Sequence, residues 1–102
     1  MASKRHPAVE PAHPGKFLAE IVVPATGKSK SDIARLLGVS RQTLYDLLGK
    51  KQSVTPEMAL RLGKLFGDGP QIWLKMQIEH DLWRAGRDIG KAIAKIPTLS
   101  AA

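Results

Sequence analysis

Cysteine is absent from the 102 residues, which excludes disulfides and thiolate metal sites and suits a reducing compartment. No run of about 18 or more apolar residues occurs, so the chain offers no candidate transmembrane helix. Its 43% hydrophobic residues are nevertheless enough to bury one core. The opening stretch MASKRHPAVEPAHP lacks the apolar segment of a secretory signal, so no export is implied and a cytoplasmic location is expected. Acidic residues are few beside basic ones, 9 against 16, leaving a formal net charge of +7. That surplus favours polyanions through counterion release, and nucleic acid is the expected partner. A membrane surface is the other polyanion, but the basic residues are scattered over several predicted helices and do not line one amphipathic helix. No membrane partner is expected. Catalytic chemistry is missing as well. There is no phosphate-cradling glycine loop or nucleophile elbow, and His6 and His13 in a proline-rich segment make no metal motif. A lone His80 on a helix is more often packing than chemistry. We expect no enzyme, no cofactor and no metal site.

What is present centres on residues 29–51, SKSDIARLLGVSRQTLYDLLGKK, which read as two short helices joined by a tight turn. Ser29 is placed to cap the first, with Asp32 completing an acidic variant of the capping box. Ile33, Leu36 and Leu37 recur at helical spacing, and Ala34 between them allows close approach of a second helix. Gly38 suits the left-handed corner, Val39 plugs it, and Ser40 restarts the chain as an N-cap. Leu44, Leu47 and Leu48 then supply the inner face of the second helix, which Gly49 can close.

The outer face of that helix carries Arg41, Gln42, Tyr45 and Asp46, all able to hydrogen-bond a base edge or a phosphate. In the DNA major groove Arg pairs with guanine O6 and N7, and Gln with adenine N6 and N7. Ser40 at the helix N-terminus suits a phosphate, as do Lys30, Lys50 and Lys51. An ordinary helical hairpin with a solvated face is the bland alternative. The arrival of Ala34, Gly38, Val39, Leu44 and Leu47 together with a basic surface favours double-stranded DNA.

Around this hairpin, residues 1–12 read as a flexible tail, whose Lys4 and Arg5 could brush phosphate. A first helix starts at His13-Pro14-Gly15, presents Phe17, Leu18 and Ile21 on one apolar face, and ends at Val22-Val23-Pro24. Thr55, Pro56 and Glu57 start a further helix that Gly67 closes, with Met58, Ala59, Leu62, Leu65 and Phe66 inside. The last long helix runs from Gln71 to about Arg84. Ile72, Trp73, Met76 and Trp83 form one apolar face, and Leu74, Ile78 and Leu82 recur every four residues on another. A small domain cannot cover both, so the second row is the expected homodimer interface. Residues 13–84 thus form one helix-turn-helix and dimerisation domain. Residues 85–102 form a C-terminal segment, either a short helix around Ile89, Ile93 and Ile96 or a frayed tail.

The residues also carry a family likeness. Residues 29–51 resemble the XRE/Cro-type helix-turn-helix, and the longer run from His13 to Trp83 is similar to HigA-type antitoxins of bacterial toxin–antitoxin modules. The matching pieces are His13-Pro14-Gly15, Ile33-Ala34-Arg35-Leu36-Leu37-Gly38-Val39, Ser53-Val54-Thr55-Pro56-Glu57-Met58-Ala59-Leu60-Arg61-Leu62, and Trp73-Leu74-x-Met76-Gln77 followed by Asp81-Leu82. Departures are Lys30 where these proteins usually carry Gln, Gly49-Lys50 where Asn-Gly is usual, and His80 where Tyr is usual. The resemblance implies a compact five-helix, all-α, lambda-repressor-like domain. It also implies a homodimer that represses its own operon from operator DNA and neutralises a cognate RelE-like, messenger-RNA-cleaving toxin. Lys16 and Glu20, polar positions beside Phe17 and Ile21, are the candidate toxin contacts. The rival readings are a stand-alone XRE-family repressor without a toxin, and a helical protein-interaction adaptor.

Overall fold

The computed structural model describes residues 9–99, so the suggested DNA contacts of Lys4 and Arg5 lie outside the described residues. Those described form five helices and no strand. Helix α1 spans residues 14–26, in three consecutive pieces: α-helical Pro14–Phe17, a π-helical turn Leu18–Val22 and α-helical Val23–Thr26. Helix α2 is Lys30–Leu37, α3 is Arg41–Leu48, α4 is Pro56–Phe66 and α5 is Gln71–Ala94. None is long and apolar enough to cross a membrane.

The starts follow local chemistry. Ser29, Ser40 and Thr55 each accept the amide of the third residue on, at 3.1, 3.0 and 3.2 Å, satisfying a donor that has no partner within the helix. Pro24, however, does not end α1. It has no amide to donate, and in an α-helix its ring would press on the Glu20 carbonyl. The π turn, in which the Val23 amide reaches back to the Leu18 carbonyl, widens the helix there and lets it continue to Thr26. The same turn changes which side faces in. Leu18 and Val23 are buried, whereas Ile21 is 58% exposed and Phe17 lies at the margin. The expected apolar face of Phe17, Leu18 and Ile21 is therefore corrected to one centred on Leu18 and Val23.

The core joins Leu18 to Ile33, Leu37, Leu44, Leu47 and Leu62, with Trp73 at its centre. The Trp73 ring lies between those of Phe17 and Phe66, each 6.1 Å away between centroids, and its indole N–H donates to Asp68 Oδ1 at 3.0 Å. Leu36 and Ile72 stay outside, at 44% and 45% exposure, contrary to their expected inward placement. Each sits next to a buried neighbour, Leu37 or Trp73, and one residue turns a helix by about 100°.

The buried stripe of α5 is Trp73, Gln77, His80 and Trp83, and its two polar members hold segments from elsewhere. Gln77 Oε1 accepts the Val54 amide at 2.8 Å, while its Nε2 donates to Asp81 Oδ1 at 3.0 Å. His80 Nδ1 lies 2.8 Å from the Pro11 carbonyl and 3.3 Å from Glu10 Oε2, and Glu10 also reaches Arg84 at 3.6 Å. A carbonyl only accepts, so His80 Nδ1 carries the proton. Glu10 and Pro11, expected within a flexible tail, are thus docked on α5. The same helix does not stop near Arg84. It continues to Ala94 through a distortion at Ile89 (φ −119°, ψ 18°), between Gly86 and Gly90.

His13 is held in the fold as well. It is buried, caps α1 by accepting the Gly15 amide on Nδ1 at 2.8 Å, and meets the His80 ring edge-on at 5.0 Å between centroids. Burial, then the nearby His80, hold its pKa below the ordinary 6.5, with Lys50 acting in the same direction and Asp81 and the Gln52 backbone opposing. A histidine with a depressed folded-state pKa contributes stability that is complete above the unfolded value of 6.5. That contribution is lost as pH falls from there to the folded value, because the unfolded chain protonates first. Thermal melts from about pH 8 to about pH 5.5 are expected to show a loss of stability in wild type that His13→Asn, a capping side chain that does not titrate, lessens. Parallel pH profiles for the two chains would remove His13 as the cause.

Candidate nucleic-acid interface

Helices α2 and α3 form the hairpin read from residues 29–51, with its turn at Gly38 (φ 75°). There the Gly38 amide donates to Arg35 O at 3.1 Å and the Val39 amide to Ala34 O at 3.0 Å, a left-handed closure that costs glycine no Cβ clash. Helix α3 turns Leu44 and Leu47 inward, 0% and 1% exposed. It is seated from behind by α1, where a Cβ on Gly15 would fall on the Leu47 carbonyl oxygen. Two helix backbones meet at that point, and a side chain on Gly15 would hold them apart.

On the opposite side, Arg41, Gln42 and Tyr45 are exposed and Asp46 is half-buried. The Arg41 side chain has no hydrogen-bond or ion-pair partner among the described residues. Gln42 Nε2 donates to Asp46 Oδ1 at 2.8 Å along the helix, which leaves its second amide proton and Oε1 for a base edge. The Ser40 hydroxyl is engaged as well, accepting the Thr43 amide and donating to Thr43 Oγ1 at 2.9 Å. Lys30 reaches over the Tyr45 ring, 5.7 Å from its centroid. The N-terminus of α2 therefore stands beside the outward face of α3. Lys50 and Lys51 are exposed just past its other end.

That far end closes differently from expectation. Gly49 has φ −85°, and the left-handed position is taken by Lys50 at φ 63°, a conformation that costs a residue with a Cβ roughly 1–2 kcal/mol. Lys50 thereby comes beside His13, His80, Gln77 and Asp81 around a polar pocket of about 410 Å³. Leu74, Ile78 and Leu82 stand apart from this face on α5. Leu74 is half-buried and packs partly on the core, whereas Ile78 and Leu82 are 55% and 64% exposed. Lys16 and Glu20 are exposed on α1.

Sequence reasoning missed His13 as a cap, Gln77 as the pin of the loop after α3, and Arg61. His13 precedes Pro14 but is not a preferred capping residue. Gln77 was findable as a polar residue within a buried helical stripe, and Arg61 as the fourth residue after Glu57, with which it pairs at 3.3 Å.

No family model matches the chain. An uncharacterised HTH-type transcriptional regulator of Haemophilus influenzae is 34% identical over 74 residues, 72% of this chain and 69% of that protein. The solved structure of the Pseudomonas aeruginosa antitoxin HigA with the higBA promoter superposes with a TM-score of 0.83 at 33% identity, covering 89% of this chain and 100% of that one. An addiction module antidote protein of a HigA family from Coxiella burnetii gives 0.82 at 34% identity, over 90% of this chain and 100% of that one. By its fold, its helix-turn-helix and these relatives, the chain belongs to the HigA-type antitoxins of the XRE/Cro-type helix-turn-helix regulators.

Proposed function

We propose that the protein is a homodimeric autorepressor that lays α3 in the major groove of operator DNA and also neutralises a RelE-like toxin. The observation that carries the DNA reading is the outward face of α3, with the Arg41 side chain unpaired among the described residues, Lys30 over Tyr45, and Lys50 and Lys51 past its C-terminal end. Arg41 and Gln42 occupy its first turn and read bases. Lys30, Lys50, Lys51 and the Ser40 end of the helix contact phosphate, while Tyr45 and Asp46 line the groove. Arg41→Ala is expected to cost about 1–3 kcal/mol and relax preference at one base pair. Lys30→Ala or Lys51→Ala should weaken all sequences alike and lower the salt slope by about one. Equal loss from Arg41→Ala on operator and random duplex would move Arg41 to the phosphate contacts.

The dimer reading rests on α5, where Leu74, Ile78 and Leu82 lead into Ile89, Ile93 and Ile96, the last three 50%, 50% and 65% exposed. From Ile78 to Ile93 the helical part of this strip is about 22 Å long. A second copy of the same helix, related by two-fold symmetry, would cover it and set the recognition helices about 34 Å apart.

Toxin binding is assigned to α1. Lys16 and Glu20 are exposed there beside Phe17 and Ile21, 37% and 58% exposed, a mixed polar and apolar patch of the kind protein partners use. Helix α1 packs on the inner side of α3, so this patch leaves the groove face open. DNA reading and toxin neutralisation should then be separable. A chain with both Arg41→Ala and Gln42→Ala is expected to lose operator binding and still protect cells expressing the toxin. Loss of protection at normal expression and folding would mean one shared surface.

A further inference from the structure

Arg61 belongs to α4, which contributes nothing to the outward face of α3, yet its guanidinium reaches into the turn of the helix-turn-helix. Nη1 donates to the Leu37 carbonyl at 2.8 Å and approaches the Gly38 carbonyl at 3.4 Å. Nε is held by Glu57 Oε2 at 3.3 Å, one helical turn back on α4. Leu37 O and Gly38 O lie at the carbonyl end of α2, where a cation meets both acceptors without partners and the negative end of the helix dipole. Gly38 matches this role, because a Cβ there would fall 2.9 Å from Arg61 Nη1. Beneath the turn, Val39, Leu47 and Met58 line a cleft of about 300 Å³ together with Thr43, Glu57 and Arg61. On this side Arg61 therefore adds a polar tie to the turn, beside the packing of Val39 on the core.

We infer that Arg61 is a positioning residue for sequence reading: it ties the turn to α4 and so sets the angle at which α3 is presented to the groove. The inference rests on the reading of α3 as the DNA-contacting helix. Base-edge hydrogen bonds tolerate little misalignment, whereas phosphate attraction is long-ranged, so a loosened turn should cost specific binding more than non-specific binding. A direct phosphate contact by Arg61 would instead lower both alike.

The test uses the full-length protein, a duplex enriched from a randomised library by wild type, and a random duplex. Arg61→Met, which keeps the apolar stem, is expected to lower the ratio of selected to random affinity about ten-fold, the scale of a lost charged hydrogen bond. The salt slope should be unchanged, as should helix content and oligomeric state. Arg61→Lys should recover part of the ratio, since an ammonium can reach one carbonyl but lacks the rigid fork. Glu57→Gln, which frees the guanidinium from its orienting carboxylate, should lower the ratio less. If Arg61→Met fails to fold, the Lys and Gln variants decide. An unchanged ratio in folded variants overturns the inference, leaving Arg61 a stability residue. Equal losses on both duplexes with a slope reduced by about one also overturn it, in favour of a phosphate contact. Arg41→Ala run alongside separates the two readings: wild type binding neither duplex would overturn the α3 interface itself, whereas an effect of Arg41→Ala without one of Arg61→Met overturns only the positioning role.

Discussion

Introducing aspartate at both Ile78 and Leu82 is expected to yield a monomer that keeps its fold but loses operator affinity by roughly a hundred-fold or more. The two halves of the effect come from different places. Both side chains are already exposed in the single chain, at 55% and 64%, so replacing them removes little from its core, and exposed substitutions usually stay within about 0.5 kcal/mol. In the proposed dimer the same positions face their counterparts, and four buried carboxylates at a two-fold axis would be neither solvated nor paired. Loss of the dimer removes the second half-site, whose contribution through effective concentration is of the order of 10²–10⁴. Light scattering at tens of micromolar, followed by titration of a palindromic duplex, checks both. A doubly substituted chain that remains dimeric would exclude this row as the interface. A wild-type monomer would exclude the dimer.

Gly15→Ala is expected to destabilise the fold by about 3 kcal/mol or more, an effect at the upper end for adding one methyl group. On an exposed helix the change would help, since alanine is the better helix former by about 1 kcal/mol. Here the added carbon falls on the Leu47 carbonyl oxygen, a backbone atom inside α3 that cannot swing aside as a side chain would. Either α1 lifts from α3, opening the core around Leu18 and Leu44, or α3 shifts and its groove face moves with it. Gly90→Ala is the control, because Gly90 is helical with nothing within 4 Å of the added carbon, and it should be neutral or slightly stabilising. Circular-dichroism melts of the two variants should therefore diverge by roughly 10 °C or more. Equal melting points would mean that α1 and α3 accommodate a side chain at this crossing.

The sequence by itself determined what depends on residues within about one helical turn of each other. Ser29, Ser40 and Thr55 cap as expected, each through the amide three residues on. Gly38 takes the left-handed corner, and Pro56 opens α4. Ile33, Leu37, Leu44, Leu47 and Leu62 enter the core as their spacing implied. With the caps placed, the outward positions of Arg41, Gln42 and Tyr45 follow from helix geometry alone.

What the tertiary structure decided are the places where two distant segments compete for the same space. Pro24 is a local stop signal, but burying Val23 in the core outweighs it, and the π turn is how the backbone complies. Periodicity offered Ile21, Leu36 and Ile72 to the interior. Leu37 and Trp73 fill the core beside Leu36 and Ile72 and leave them outside, one residue turning a helix by about 100°, while the π turn carries Ile21 away from the interior. The docking of Glu10 and Pro11 on His80, and the reach of Arg61 to the carbonyls of Leu37 and Gly38, span 69 residues and 24 or 23 residues respectively. No periodic pattern encodes such pairs. They form where folding brings a guanidinium or a ring nitrogen within reach of a carbonyl, and the tertiary structure alone determines which carbonyl that is.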